Sequence, residues 1–293
     1  MSEGYVTAAD GVRLFYRQLG SGPATTLVPD ASFLFDHFAH LAGSERTLIC
    51  FDVRNRGRSD VVSDRSRVAR GIHQEADDLE AVRQHFGLNS MDLIGHSYWG
   101  VVVMLYAIQY GHVNRIVQIG PSQPDGSKIY PPELLWFDQI SQDFATALAN
   151  LQAQRHLRPA AELRGELMTW LRRLMVLNSA DVPRLLWNVA DLATEAAAFA
   201  HVNQAILPTL HALRLQRADM AQVAAPVLII HGRKDRQAAY GGARDWAASL
   251  PDARLLTVEE AAHVPWIEAP ELVFNAITTF LNGAWPADAE QVG

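Results

Sequence analysis

Residues 91–100 read Met-Asp-Leu-Ile-Gly-His-Ser-Tyr-Trp-Gly, and the reading of this decapeptide decides the fold. A short apolar strand, Met91 to Ile94, runs into Gly95-His96-Ser97, and an apolar helix, Val101 to Tyr110, follows at once. A serine on so sharp a strand-to-helix turn is lifted above the sheet, and the turn aims backbone N–H groups at the oxygen the hydroxyl would attack. The pattern for such a turn is Gly-x-Ser-x-Gly, but here Trp99 holds the last position and Gly100 comes one residue later. A small residue at that place normally lets helix and strand approach closely. Trp99 therefore bears on the local packing more than on the identity of the serine. The competing reading is a buried serine on an ordinary strand-to-helix turn.

Strands and helices alternate outward from the decapeptide. Tyr5-Val6-Thr7 and Val12 to Arg17 flank Asp10-Gly11, a favoured hairpin turn. Thr25 to Val28 and Thr47 to Val53 read as strands, and Gln74 to Phe86 has the helical spacing of Leu79, Val82 and Phe86, ended by Gly87. After the strand Arg115 to Ile119, residues 122–222 contain no convincing strand and carry helical periodicity. Alternation resumes at Pro226 to Gly232, with a helix (Gly242 to Leu250), a strand (Arg254 to Val258) and a last helix (Glu271 to Leu281). This pattern predicts an α/β fold with a mostly parallel sheet flanked by helices. The core is expected over 1–121 and 223–283, a helical insert over 122–222, and a flexible tail over 284–293.

Composition narrows the partners. The chain has 293 residues, 49% of them hydrophobic and 19% charged, the balance of a soluble enzyme with a substantial core. Its formal net charge of −7 argues against a nucleic-acid partner, because no face would neutralise many phosphates. The basic stretches Arg54-Asn55-Arg56-Gly57-Arg58 and Asp64-Arg65-Ser66-Arg67 read as solvated loops. The single cysteine, Cys50, lies in an apolar run and reads as a small buried hydrophobe. With no signal peptide and no stretch of 18 apolar residues, a cytoplasmic protein without membrane contact is expected. Its partner would be a small-molecule substrate, and a homodimer stays open.

A serine hydroxyl needs a base in reach, and the base needs an orienting acid. Asp235, in His231-Gly232-Arg233-Lys234-Asp235, and His263, in Ala261-Ala262-His263-Val264-Pro265-Trp266, each follow a strand, as Ser97 does. The three groups are thus predicted to gather at the carboxyl edge of the sheet, where active sites of open α/β sheets lie. An aspartate after a strand also serves as a helix N-cap, and a histidine there as a core residue; the spacing of Asp235 and His263 favours catalysis. Asp77 and Asp78 are adjacent on a helix and point about 100° apart, so they read as surface or loop-bracing residues. His37 and His40 lack a third ligand nearby, and Gly20-Ser21-Gly22-Pro23 opens no helix, so neither a metal, a phosphate site nor any cofactor is expected.

The chain resembles the α/β-hydrolases, a group that includes proline iminopeptidases, carboxylesterases, lactonases and carbon–carbon bond hydrolases. Phe51 to Asp60 resembles the family's D-x-R-G-x-G-x-S loop, Ile230 to Asp235 its G-x-x-D acid loop, and His263 to Glu271 its H-x-P-x-x-E-x-P-E segment. The order Ser, Asp, His is that of the family. Tyr106-Ala107 and Tyr110-Gly111 fall where the family's helix carries Tyr-Ala and Tyr-Pro, so nothing has been inserted after Ser97.

The resemblance implies a serine hydrolase with Ser97 as nucleophile, His263 as base and Asp235 as its orienting acid. The family's oxyanion hole follows a His-Gly pair, but here Pro29-Asp30 replaces it. Ala31 falls at one donor position and Tyr98 at the other. An Asp30 carboxylate near a developing oxyanion would repel it unless it points away or is protonated, so the hole is remodelled or degraded, with Ser32 or a side chain of the insert as a substitute donor. The insert resembles the family's helical cap. Asp30, Ser32, Trp99, Trp136, Phe137, Trp187 and Trp266 are pocket candidates, with Trp170 and Phe199 further aromatics of the insert. A small, largely apolar ester, lactone or amide is the expected substrate, and a peptidase is disfavoured because no acid is singled out to hold an ammonium. The alternative is a non-hydrolytic member of the fold: a lyase or cyclase of a biosynthetic pathway, or a ligand-binding protein.

Overall fold

The computed structural model describes residues 1–186 and 192–292. Its centre is an eight-stranded sheet in the order β1-β2-β4-β3-β5-β6-β7-β8. The strands are β1 (Ser2–Thr7), β2 (Arg13–Leu19), β3 (Ala24–Pro29), β4 (Arg46–Phe51), β5 (Met91–His96), β6 (Val113–Ile119), β7 (Val227–Gly232) and β8 (Ala253–Val258). β1 pairs antiparallel with β2, and β2 antiparallel with β4; all other pairs are parallel. The helices are α1 (Ala31–Phe38), α2 (Ile72–His85), α3 (Tyr98–Tyr110), α4 (Gln139–Ala153), α5 (Ala160–Met175), α6 (Leu192–His201), α7 (Leu207–Ala212), α8 (Arg217–Met220), α9 (Tyr240–Ser249), α10 (Pro265–Glu268) and α11 (Pro270–Leu281).

Strands β4, β5 and β7 are buried along their whole length, as their unbroken apolar runs require in a sheet covered on both faces. One face packs Leu79, Val82, Val103, Tyr106 and Trp246 of α2, α3 and α9. The other packs Leu34, Phe38, Val273, Ile277 and Phe280 of α1 and α11. β3 lies between β4 and β5, so the chain leaves β3 to one side, returns, and continues on the other. This reversal opens a crevice beyond the carboxyl ends of β3 and β5. Asp30 follows the first of these strands and Ser97 the second.

Between β6 and β7 the described residues form helices and short helical turns, with one isolated β-bridge, Asp125 to Arg214. No helix among the described residues is long and apolar enough to cross a membrane. Two expectations are corrected. The tail is docked: Leu255 and Glu290 exchange backbone hydrogen bonds of 2.8 and 2.9 Å, Ala289 is buried, and Trp285 packs against Phe280. An unpaired sheet edge at β8 gives those residues a partner that their own sequence does not announce. The loop Arg54 to Arg58 is not wholly solvated either, since Arg54 is fully buried against Asp78 (2.6 and 2.8 Å) and Asp10 (2.9 Å). Asp78 therefore braces this loop from α2, whereas Asp77 accepts from the Tyr110 hydroxyl at 2.8 Å.

Candidate active site

Ser97 sits between β5 and α3 with φ 58° and ψ −127°, a conformation that side chains with a Cβ rarely adopt. The turn holds because its backbone is over-determined: Ser97 N–H donates to Ile119 O (2.9 Å), and Ser97 O accepts from Gly100 N–H (3.0 Å) and Ser122 N–H (3.2 Å). Close approach is demanded at Gly95, where a Cβ would lie 2.4 Å from Trp99 O, and at Gly100, where it would lie 2.9 Å from Pro121 Cβ. Position 99 carries no such demand, and the Trp99 ring instead lies buried beside Tyr98, their centroids 4.2 Å apart.

His263 and Asp235 meet at the same edge. Nδ1 of His263 lies 2.7 Å from Asp235 Oδ2, and both residues are buried. Asp235 Oδ1 accepts from the N–H groups of Gln237 (2.7 Å) and Ala238 (3.0 Å). Burial alone would raise the Asp235 carboxyl, but His263 and the Ala238 N–H outweigh it and hold the group below the usual range. An ionised Asp235 fixes the imidazole proton on Nδ1 and leaves Nε2 to accept. Gly120, with φ +52°, lets the end of β6 crowd this pair: a Cβ there would lie 3.2 Å from His263 Nδ1. His96 Nε2 donates to His263 O at 3.0 Å, and burial together with the nearby His263 keeps the His96 ring neutral. Ser97 and His263 line one cavity; no hydrogen bond joins their side chains among the described residues, and such bonds often close only on substrate.

Tyr98 and Ala31 are the first residues of α3 and α1, so neither N–H has an acceptor within its helix. Neither finds one elsewhere among the described residues. Tyr98 faces the cavity, whereas on the β3 side Asp30, Ser32 and Phe33 line it and Ala31 does not. Asp30 adopts left-handed backbone (φ 72°) and is buried. Its Oδ1 accepts from Ser32 Oγ (2.7 Å) and its Oδ2 from Arg56 Nη1 (3.3 Å). Burial pushes the Asp30 carboxyl up, against the pull of Arg56 and Ser32. Asp52, beside it, accepts from the N–H groups of Ser32 (2.7 Å) and Arg58 (3.0 Å) and is pushed up to about 6 by burial and by Asp30.

The cavity has a volume of about 980 Å³. Its wall includes Ser97, His263, Asp30, Ser32, Arg56 and Gln237, together with Phe144, Leu148 and Leu151 of α4, Leu163, Leu167 and Leu171 of α5, Phe199 of α6, and Leu207 and Leu210 of α7; Gln152, Arg164 and Glu195 of the same helices also line it. Of the aromatic candidates, Trp99 and Phe199 line it. Trp136, Phe137 and Trp266 do not: Phe137 is 68% exposed, Trp136 lies under the Lys234 ammonium, and Trp266 is buried against Phe33, Phe38 and His96. Trp187 lies outside the described residues.

Sequence reasoning missed Arg56, whose side chain is only 13% exposed, and Glu75, which is fully buried and accepts from the Tyr98 hydroxyl at 3.3 Å. The signal for Arg56 was its place in the loop motif. Asn55 there stands at a glycine of the family pattern and takes the left-handed conformation that asparagine tolerates, φ 61°.

Comparison with known proteins agrees with this fold. The alpha/beta hydrolase fold family matches residues 22–270. The chain is 23% identical over 290 residues to the AB hydrolase superfamily protein YisY of Bacillus subtilis, covering 95% of this chain and 98% of that one. A stretch of 141 residues is 29% identical to a pimeloyl-(acyl-carrier protein) methyl ester esterase of Nitrosomonas europaea, covering 47% of this chain and 46% of the relative. An esterase from Exiguobacterium antarcticum superposes with a TM-score of 0.72 at 17% identity, over 96% of this chain and 100% of that one. A meta-cleavage product hydrolase from Pseudomonas fluorescens gives 0.71 at 16% identity, over 95% and 97%. Since the family match runs unbroken from β3 through the turn at Ser97 to the loops bearing Asp235 and His263, the chain belongs to the alpha/beta hydrolase fold family.

Proposed function

We propose that the protein is a serine hydrolase acting on an ester or lactone, with an amide less suited, whose acyl or alcohol part is largely apolar. The observation that carries this reading is the buried His263–Asp235 pair at 2.7 Å, opening on the same cavity as the strained Ser97 turn. Ser97 Oγ forms a bond to the substrate carbonyl carbon while its proton passes to His263 Nε2. The tetrahedral intermediate collapses, the C–O bond to the leaving group breaks, and His263 returns the proton to the departing alkoxide. Water then attacks the acyl-enzyme with His263 again as base, and Ser97 leaves with the proton. Tyr98 N–H, at the start of α3 on the cavity wall, holds the oxyanion, whereas Ala31 lies off that wall. The helices between β6 and β7 act as the cap, and their leucines and phenylalanines receive the apolar arm. The esterase named among the relatives supports an ester. A peptidase is disfavoured because, among the described residues, Glu195 is the single carboxylate of α5 or α6 on the cavity wall, while Glu162 and Glu166 pair with Arg158 away from it.

The test is labelling with a small fluorophosphonate, read by intact mass, on the wild type and on Ser97→Ala and Asp30→Gly. One adduct on the wild type, absent from Ser97→Ala, is the expected result. Labelling of Asp30→Gly alone would mean that the Asp30 carboxylate blocks the hole, and would favour a non-hydrolytic activity.

A further inference from the structure

The two departures from the family pattern, Asp30 in place of a glycine and Trp99 in place of a small residue, hold the same group. Arg56 donates from Nη1 to Asp30 Oδ2 at 3.3 Å, and its guanidinium carbon lies 4.7 Å from the centre of the Trp99 ring. A guanidinium carries five donors in a rigid fork, and a ring beneath it fixes its plane. Among the described residues the Asp30 contact is the only hydrogen bond of this side chain, which lines the cavity together with Ser97 and Tyr98.

Burial opposes the charge on Arg56, and Asp30, Glu75 and Asp52 around it favour that charge. Trp99 is in the first turn of α3, where the helix dipole already presents positive charge and a cation is disfavoured. Of the carboxylates around it, Asp52 has both oxygens on backbone N–H groups and Glu75 takes the Tyr98 hydroxyl, so Asp30 is the one that contacts the guanidinium. Arg56, Ser97 and Tyr98, whose N–H begins α3, line the same cavity, and negative charge appears in it once Ser97 has attacked a carbonyl.

We infer that Arg56, held by Asp30 and Trp99, is a catalytic residue that donates to the acyl oxygen at Ser97 and rebuilds the oxyanion hole that the missing His-Gly pair would have formed. This rests on the serine-hydrolase reading above. It also selects substrates whose transition state carries charge on a compact oxygen over those needing a cationic group to be held there.

The test uses the full chain with p-nitrophenyl butyrate as substrate and phenylboronic acid as a mimic of the tetrahedral adduct. Variants are Arg56→Met, Arg56→Lys and Trp99→Leu, each checked by thermal melting. Expected is a fall in kcat of about 10²-fold for Arg56→Met with KM within a few-fold, the size seen when one oxyanion donor is lost. Boronate affinity should fall in parallel, with partial recovery in Arg56→Lys and an intermediate loss in Trp99→Leu. An unchanged kcat in Arg56→Met, or a raised KM at constant kcat, overturns the inference and leaves the hydrolase reading standing. Should Arg56→Met fail to fold, Arg56→Lys decides: wild-type kcat and wild-type boronate affinity together overturn the inference. Failure of the wild type to take the fluorophosphonate overturns both.

Discussion

The Asp235 side chain shows how little freedom the site leaves its residues. One oxygen is occupied by two backbone N–H groups and the other by His263. In Asp235→Asn the amide oxygen keeps the backbone donors, so the NH₂ group faces His263 Nδ1 and forces the wrong tautomer. The expected outcome is a loss in kcat of roughly 10⁴-fold, the scale known for an aspartate-to-asparagine change in such a triad. Steady-state hydrolysis of a p-nitrophenyl ester measures it, and the melting temperature should move little because the shape is kept. A variant with near wild-type kcat would show that Asp235 serves only as a turn residue.

Helix α1 is the element the sequence hid and the site most depends on. It starts at the left-handed Asp30, puts Ser32 and Phe33 on the cavity wall, and carries His37 on the next turn. His37 Nε2 accepts from Leu186 N–H at 3.3 Å, and its ring packs against Phe33 and Trp266. An accepting nitrogen must be unprotonated, and burial lowers this imidazole to about 4. The unfolded chain takes up a proton near pH 6.5 that the folded chain refuses until about 4, so His37 costs stability as pH falls through that window. The melting temperature of the wild type should therefore drop more between pH 6.5 and 4 than that of His37→Gln. Parallel curves for the two proteins would show that His37 protonates without cost in the fold.

Across the whole molecule, one buried ion pair ties the sheet to its last helix. Arg46 of β4 pairs with Asp92 of β5 across β3, donates to Thr26 Oγ1 on β3 at 2.7 Å, and reaches Leu281 O at the end of α11 at 2.9 Å. Both side chains are almost out of solvent, 10% and 4% exposed. Removing one partner of such a pair leaves a charge without compensation and costs about 3–5 kcal/mol, whereas removing both costs less. Urea denaturation should show Arg46→Ala destabilised on that scale and the Arg46→Ala, Asp92→Ala double variant destabilised less. A double variant as unstable as the sum of the singles would mean that packing, not the stranded carboxylate, sets the loss.

What the chain determined by itself is the succession of elements and the ends they present. Period-two and unbroken apolar runs, Gly-x-Ser, Gly-x-x-Asp and His-x-Pro each report on local geometry, and local geometry in an alternating α/β chain leads to one sheet edge. Tertiary structure decided which side chains share that edge. Arg54-Asn55-Arg56-Gly57-Arg58 reads as basic and solvated because hydropathy is a property of each residue alone. Asp78, Asp10, Asp30 and the Trp99 ring, distant in sequence, are what make burial of two of its arginines favourable. The cavity wall was illegible for the same reason. Helical period marks an apolar stripe but not what that stripe faces, so Leu148, Leu167 and Leu210 line the cavity that Ser97 lines while Trp136 and Trp266 turn elsewhere. Likewise nothing in residues 284–293 announces the free edge of β8 that orders them, because a backbone's hydrogen-bonding partner is supplied by the rest of the fold.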